Sequence, residues 1–255
     1  MFKSKKDKNS NESDKKQNYK ISLVICAHNE EKYIGECLDY AIKNSKGKLH
    51  EIIVIDNVST DNTKAEALKR PGVKVVREEK KGLVRARERG LIEAQGDILA
   101  YIDADTRMPE GWMDRLINEF ENNPNHVCVS GPYIYHDIPK HHQFLVRVYW
   151  YVIAVPMYWM VGYMAVGGNF AIKKDTLKKM NGFDTTIEFY GEDTDIARRA
   201  SKFGKVKFIP SHYIYSSGRR LNSQGIFTMF KEYGLNFLSE VILHKPVTKN
   251  YKDFR

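Results

Sequence analysis

The sequence predicts an α/β fold in which a mostly parallel central sheet is flanked by helices. Over residues 21–102, short apolar runs of strand length alternate with longer segments of helical spacing, the pattern of successive strand–helix–strand units. The chain has 255 residues, 42% of them apolar, enough to bury a large core in one such domain.

The elements follow in order. Residues 21–26 (Ile-Ser-Leu-Val-Ile-Cys) form a buried strand, and 30–44 a helix with Ile34, Leu38, Ala41 and Ile42 on one face. A second strand covers 51–55 and ends at Asp56. Ser59 or Thr60 is placed to cap a helix over 61–69. A strand at 73–76, a helix over 84–94 stopped by Gly96, and a strand at 97–102 complete the first half. In the second half the spacing predicts a helix at 113–121 and a strand at 127–130. A turn into a strand follows at 167–172, then a Lys-rich helix to Met180, a turn at 181–184 and a helix over 193–203 stopped by Gly204.

Charge is concentrated at the ends. Formal net charge is +9, of which residues 1–20 carry +4 and residues 244–255 carry +3, leaving +2 for the body. Such ends read as solvated, disordered tails with some attraction for anionic lipid. No basic helix or aromatic-plus-basic motif reads bases, so nucleic acid is not an expected partner. Three cysteines (Cys26, Cys37 and Cys128) lack metal spacing and cannot all pair, which fits a reduced, cytoplasmic compartment. The Lys-rich start has no apolar segment of the kind a signal peptide needs.

In a parallel sheet, ligands sit beyond the carboxyl ends of the strands. Here those ends are 27–30, 56–59 and 103–105, all polar or acidic. Asp103-Ala104-Asp105 leaves an apolar strand directly, and extended-chain alternation puts its two carboxylates on one side. Paired hard oxygen ligands at a sheet edge suit Mg2+ or Mn2+ gripping a diphosphate.

These motifs, with several others in the same order, resemble those of family 2 glycosyltransferases. They are Ala27-His28-Asn29-Glu30, 56–61 (Asp-Asn-Val-Ser-Thr-Asp), 82–87 (Gly-Leu-Val-Arg-Ala-Arg), Gly90, Asp103-Ala104-Asp105, Gly182-Phe183-Asp184 and 191–195 (Gly-Glu-Asp-Thr-Asp). The resemblance covers about four-fifths of the chain, from Ile21 to near Arg220. It implies a Rossmann-like sandwich of the GT-A type over 20–243, with a nucleotide-sugar-binding half at 20–106 and an acceptor-binding half at 107–243. The basic tails at 1–19 and 244–255 lie outside that domain.

By that likeness the enzyme is an inverting transferase that uses a nucleotide-sugar donor, a UDP-sugar, and Mn2+ or Mg2+. Ala27, Asn29 and Glu30 would hold the nucleoside, with Glu30 near the ribose and Asp56 accepting a hydrogen bond from the base. Asn57 stands where a second Asp is usual, and Glu88 where Asn is usual. Arg87 would lie near the diphosphate, where a planar guanidinium pairs with phosphate oxygens. Asp103, Ala104 and Glu192 would complete the donor site. Asp105 would be the direct metal ligand with Asp103 beside it, and His212 is the candidate third ligand. Asp193 would be the general base for the acceptor hydroxyl, which an inverting transfer needs opposite the leaving diphosphate. Arg219 or Arg220, in a loop after the last strand, could reach the diphosphate.

Residues 148–166 carry no charge but include Pro156, two Trp and four Tyr. A membrane span here would separate Asp105 from Asp193 and is rejected. Two readings remain, a buried or acceptor-side helix pair broken at Pro156 and an interfacial segment dipping into a membrane. The second makes a glycan or lipid-linked acceptor natural, with peripheral contact at the cytoplasmic face. Among other classes, a dinucleotide-dependent oxidoreductase needs a glycine-rich first turn, and 27–31 has no glycine. A sugar-1-phosphate nucleotidyltransferase would want a glycine-rich basic loop early in the chain. A non-catalytic nucleotide-sugar-binding module shares every motif above.

Overall fold

The computed structural model describes residues 18–187, 191–225, 228, 231, 232, 234–236, 239 and 241. The tail expected at 244–255, and all of that at 1–19 except Asn18 and Tyr19, lie outside the described residues.

In the first half, strands β1 (Ile21–Ala27), β2 (Glu51–Asn57), β3 (Val73–Glu78) and β4 (Ile98–Asp103) alternate with helices α1 (Ile34–Ser45), α2 (Thr63–Leu68) and α3 (Leu83–Glu93). All four strands are parallel. In the second half come β5 (Thr106–Arg107), α4 (Trp112–Asn122), β6 (His126–Ser130), β7 (Tyr133–Tyr135), α5 (Lys140–Val148), a π-helical turn Tyr149–Ala154 and α6 (Val155–Val161). They are followed by β8 (Asn169–Lys173), α7 (Lys174–Lys179), α8 (Glu192–Ala200), β9 (Lys205–Phe208), β10 (Ile214–Ser216) and α9 (Arg219–Gln224).

One seven-stranded sheet runs β3-β2-β1-β4-β8-β6-β9, so it crosses the expected division at 106/107. Only β8 runs against its neighbours. A small sheet, β5-β10-β7, sits beside it. The fold is thus the α/β sandwich the alternation predicted, with one antiparallel strand.

Strand alternation sends side chains to two cores. Leu23 and Ile25 pack with Leu38 of α1 and Trp112, Leu116 and Phe120 of α4. Val24, Ile53 and Ile55 face α3, α7 and α8 through Val84, Leu177 and Ile196. Gly90 lets α3 approach the sheet, because a Cβ there would sit 2.5 Å from Val24 Cγ1.

Three local expectations are corrected. Helix α1 starts at Ile34 rather than Glu30, because the Glu30 carbonyl accepts the Tyr33 and Ile34 N–H groups in a turn. Helix α2 is not capped by Ser59 or Thr60. Asp61 accepts the Thr63 N–H, while Ser59 and Thr60 bond across to the Asn29 loop. The uncharged segment is not a helix pair broken at Pro156: residues 148–161 belong to one continuous run, Lys140–Val161, and 163–166 lie beyond its end. Proline lacks an N–H and crowds the preceding turn. The π turn ends just before it, with the Val155 N–H reaching back to the Trp150 carbonyl, and this wider winding admits the ring.

Candidate active site

Register brings the strand ends together. Ala27 lies opposite Asp56, and Cys26 opposite Asp103. Antiparallel β8 pairs Asn169 with Ile102, so Gly167-Gly168 falls beside Asp103. In the small sheet Ser216 pairs with Thr106, and the Ser217 N–H donates to the Asp105 carbonyl, which delivers Arg219 to Asp105. Helix α8 then adds Glu192 and Asp193 at its first turn, entered through Gly191 in the left-handed region.

The result is a cavity of about 370 Å3. Ala27, Glu30, Arg87, Asp103, Ala104, Asp105, Glu192 and Asp193, all expected at the site, line it. A second wall comes from the helical run, through Val146, Tyr149, Trp150, Ala154 and Met157.

Arg219 is a bidentate partner of Glu30, at 2.6 and 2.8 Å, and its Nη2 lies 3.1 Å from Asp105 Oδ2. Asp103 Oδ2 accepts the Tyr133 hydroxyl at 2.8 Å. Burial, with Asp103 and Glu30 as like-charged neighbours, pushes the Asp105 carboxyl up to about 7 although Arg219 opposes the shift. Three carboxylates, Glu30, Asp103 and Asp105, thus share this corner with Arg219, and Arg87 acts on Asp103 from the other side.

Arg87 is buried in the cavity wall and forms a close ion pair with Glu192, while its Nη2 donates to the Gly167 carbonyl at 2.6 Å. Its guanidinium is thus spent on protein groups, holding Glu192 and the Gly167 turn in place. Burial raises the Glu192 carboxyl to about 8 against the pull of Arg87. Asp193 is also raised by burial, while Arg87 and the backbone N–H groups of Thr194 and Gly167 work in the other direction. A buried carboxylate with raised proton affinity is suited to taking a proton.

Three expected residues are placed elsewhere. Asn29 does not line the cavity: it adopts a positive φ of 53° and its Oδ1 accepts the Thr60 N–H. Asp56 is 1% exposed, with one oxygen on the Ser59 N–H and the other on Arg77, so it braces the loop from beneath and Asn57 faces the cavity. His212 is not brought to the carboxylates. It is buried and stacked on Trp112 at 4.5 Å, with no hydrogen bond to either ring nitrogen among the described residues. The chain past β9 turns inward there, and the imidazole serves as a core ring.

Other site residues went unnoticed in the sequence. Tyr133 bears on Asp103, and Gly168 leaves room for that carboxylate, since a Cβ would lie 2.1 Å from Asp103 Oδ2. The signals were slight: a Tyr soon after a strand end, and a glycine pair that read as a turn.

Among the described residues no three His, Cys, Asp or Glu side chains are grouped to hold a metal by themselves. Mg2+ and similar ions commonly take one or two carboxylates and complete their shell with substrate phosphates. Asp103 and Asp105, in the corner they share with Glu30 and Arg219, fit that partial shell.

A sheet of this order, with acidic strand ends opening on one cavity and an acidic helix start facing them, defines a GT-A glycosyltransferase domain. The chain belongs to the glycosyl transferase family 2, whose profile matches residues 22–180. A second profile, described as the N-terminal domain of galactosyltransferase, matches residues 152–231. Glucosyl-dolichyl phosphate glucuronosyltransferase of Haloferax volcanii is 23% identical over 183 residues, covering 68% of this chain and 58% of that protein. The chain therefore spans little more than half of this relative.

Solved structures share the fold, among them the following two. The mannosyltransferase PcManGT of Pyrobaculum calidifontis, in complex with GDP-Man and Mn2+, superposes with a TM-score of 0.65 at 21% identity, covering 89% of this chain and 64% of that one. Glucosyl-3-phosphoglycerate synthase of Mycobacterium tuberculosis, with Mn2+, UDP-glucose and phosphoglyceric acid, gives a TM-score of 0.61 at 21% identity, covering 88% and 80%.

Proposed function

We propose that this chain is an inverting glycosyltransferase that moves a sugar from a nucleotide diphosphate, a UDP-sugar, to the hydroxyl of a lipid-linked acceptor. The observation that carries the reading is that Asp105 and Asp193, far apart in sequence, line one cavity. Family membership and the fold shared with nucleotide-sugar complexes support the donor class. The apolar, aromatic wall and the dolichyl-phosphate relative support a lipid-carried acceptor. Three free cysteines support action in a reducing, cytoplasmic compartment, with peripheral contact at the membrane face.

In this reading Glu30 and Asn57 receive the nucleoside, on loops braced by Asn29 and Asp56. Asp103 and Asp105 would hold Mn2+ or Mg2+, which would supply positive charge to the leaving diphosphate. Arg87 positions Glu192 and the Gly167 turn. Asp193 takes the acceptor proton as the hydroxyl oxygen bonds to the anomeric carbon, and the bond to the diphosphate breaks with its electron pair on the phosphate oxygen. No covalent sugar–enzyme intermediate is needed.

The test is release of UDP from UDP-sugars with Mn2+, with Asp193→Asn beside the parent. The variant is expected to bind donor normally and to lose roughly 100- to 10,000-fold in turnover. Parent-like turnover by Asp193→Asn would remove Asp193 as base. Donor binding by the parent without any UDP release would leave a binding module rather than an enzyme.

A further inference from the structure

The helical run Lys140–Val161 is two-sided. Its inner face supplies the aromatic wall of the cavity and buries Val146, Ala154 and Tyr158. Its outer face leaves Phe144, Tyr151, Val152, Trp159 and Met160 exposed at 66, 60, 65, 74 and 85%. The spacing 144, 148, 151, 152 and then 159, 160 keeps these residues on one stripe through the π turn. So many large apolar side chains, continuous along one helix, are unusual on a soluble surface.

We propose that this outer face seats the protein on an anionic lipid bilayer. Charge argues for lipid over other occupants. The stripe is accompanied by exposed Lys140 and Arg147, and no acidic residue falls anywhere between Lys140 and Lys174. Two copies packed through this face would bring those cations together with no acidic residue of the run itself to offset them. The chain's own end at 244–255 carries net +3 and would be repelled likewise. Anionic headgroups complement the cations, and Trp and Tyr favour the headgroup layer. An amphipathic helix lying in the interface buries its apolar face by about 5–10 Å. The run does not span the bilayer, because its other face is a wall of the cavity. Seated this way, the helix has lipid on one side and the acceptor side of the cavity on the other. It rests on the acceptor reading above only for what the lipid carries.

The full chain is to be floated with phosphatidylcholine vesicles, with and without phosphatidylglycerol. It is expected to rise with the anionic vesicles and less with the neutral ones. A triple substitution, Val152→Ser, Trp159→Ser and Met160→Ser, lies outside the cavity lining. It is expected to cut vesicle binding about tenfold or more while calorimetric UDP–Mn2+ affinity and melting temperature stay at the parent values. Lys140→Glu with Arg147→Glu is expected to reduce the preference for the anionic vesicles to what the basic chain ends supply by themselves. The inference is overturned if the parent does not float, or if the triple variant floats as well as the parent. It is equally overturned if light scattering shows a parent dimer that the triple variant dissociates while neither floats. UDP release is read separately in each variant, so loss of flotation with turnover intact leaves the transferase reading untouched.

Discussion

Arg219 is bonded to Glu30 and lies 3.1 Å from Asp105, the proposed metal ligand. A guanidinium beside a carboxylate competes with any incoming ion for it. Arg219→Gln is therefore expected to tighten binding of Mn2+ alone by about tenfold, read by calorimetry without nucleotide; weaker or unchanged affinity would place the ion elsewhere. The raised Asp105 carboxyl adds a pH dependence: a proton competes with the cation for it, so Mn2+ affinity is expected to rise with pH and level off above about 7. His212 makes the opposite kind of statement. Burial lowers its imidazole to about 3. Between there and the ordinary value near 6.5 the unfolded chain binds a proton that the folded chain does not, so stability is complete above about 6.5 and falls as pH drops. His212→Phe is expected to reduce that acid sensitivity in thermal melts while leaving Mn2+ affinity unchanged. A loss of Mn2+ affinity would restore His212 as a ligand. Asp103 and Asp105 were legible in the sequence because they leave an apolar strand directly, whereas Asp193 was legible only through the resemblance to the family. The inward turn of Asp56 was not, because Arg77, its partner, belongs to another strand. Likewise nothing near His212 marked the side to which its ring would point.

At the scale of elements, the site is assembled by strand register and by two short connections. Gly167-Gly168 enters β8 beside Asp103, with no space for a side chain at Gly168. Gly168→Ala is expected to push Asp103 or Tyr133 aside and to weaken UDP–Mn2+ binding about tenfold, against a stability loss of roughly 1–3 kcal/mol. Unchanged affinity would mean that Asp103 contributes little to donor binding. Strands β1, β2 and β4 were legible as unbroken apolar runs, since both faces are covered. The helical run 140–161 was only half legible. The absence of charge over 148–166 marked that part as unusual, yet a stretch that is apolar all round does not say which side faces the cavity. Pro156 suggested a break that the π turn absorbs. The start of α1 was misplaced because Glu30 continues the helical spacing while its carbonyl closes a tighter turn.

Across the whole molecule, one sheet carries strands from both halves, so the groups proposed for donor and for acceptor are fixed to a common frame. The small β5-β10-β7 sheet ties the chain near its end back to Asp105, which is how Arg219 meets Glu30 across nearly the full sequence. Such closure was not legible, because strands of two or three residues leave almost no pattern. The overall alternation, and the meeting of strand ends that follows from it, was. The most direct measurement is an anomalous-scattering map from crystals soaked with Mn2+ and UDP. The expected result is a manganese peak against the Asp105 carboxylate, bridged by the diphosphate, with the Asp193 carboxylate facing the same cavity from α8. A bound UDP with its manganese away from Asp105, or a diphosphate in a cavity that Asp193 does not share, would contradict the account.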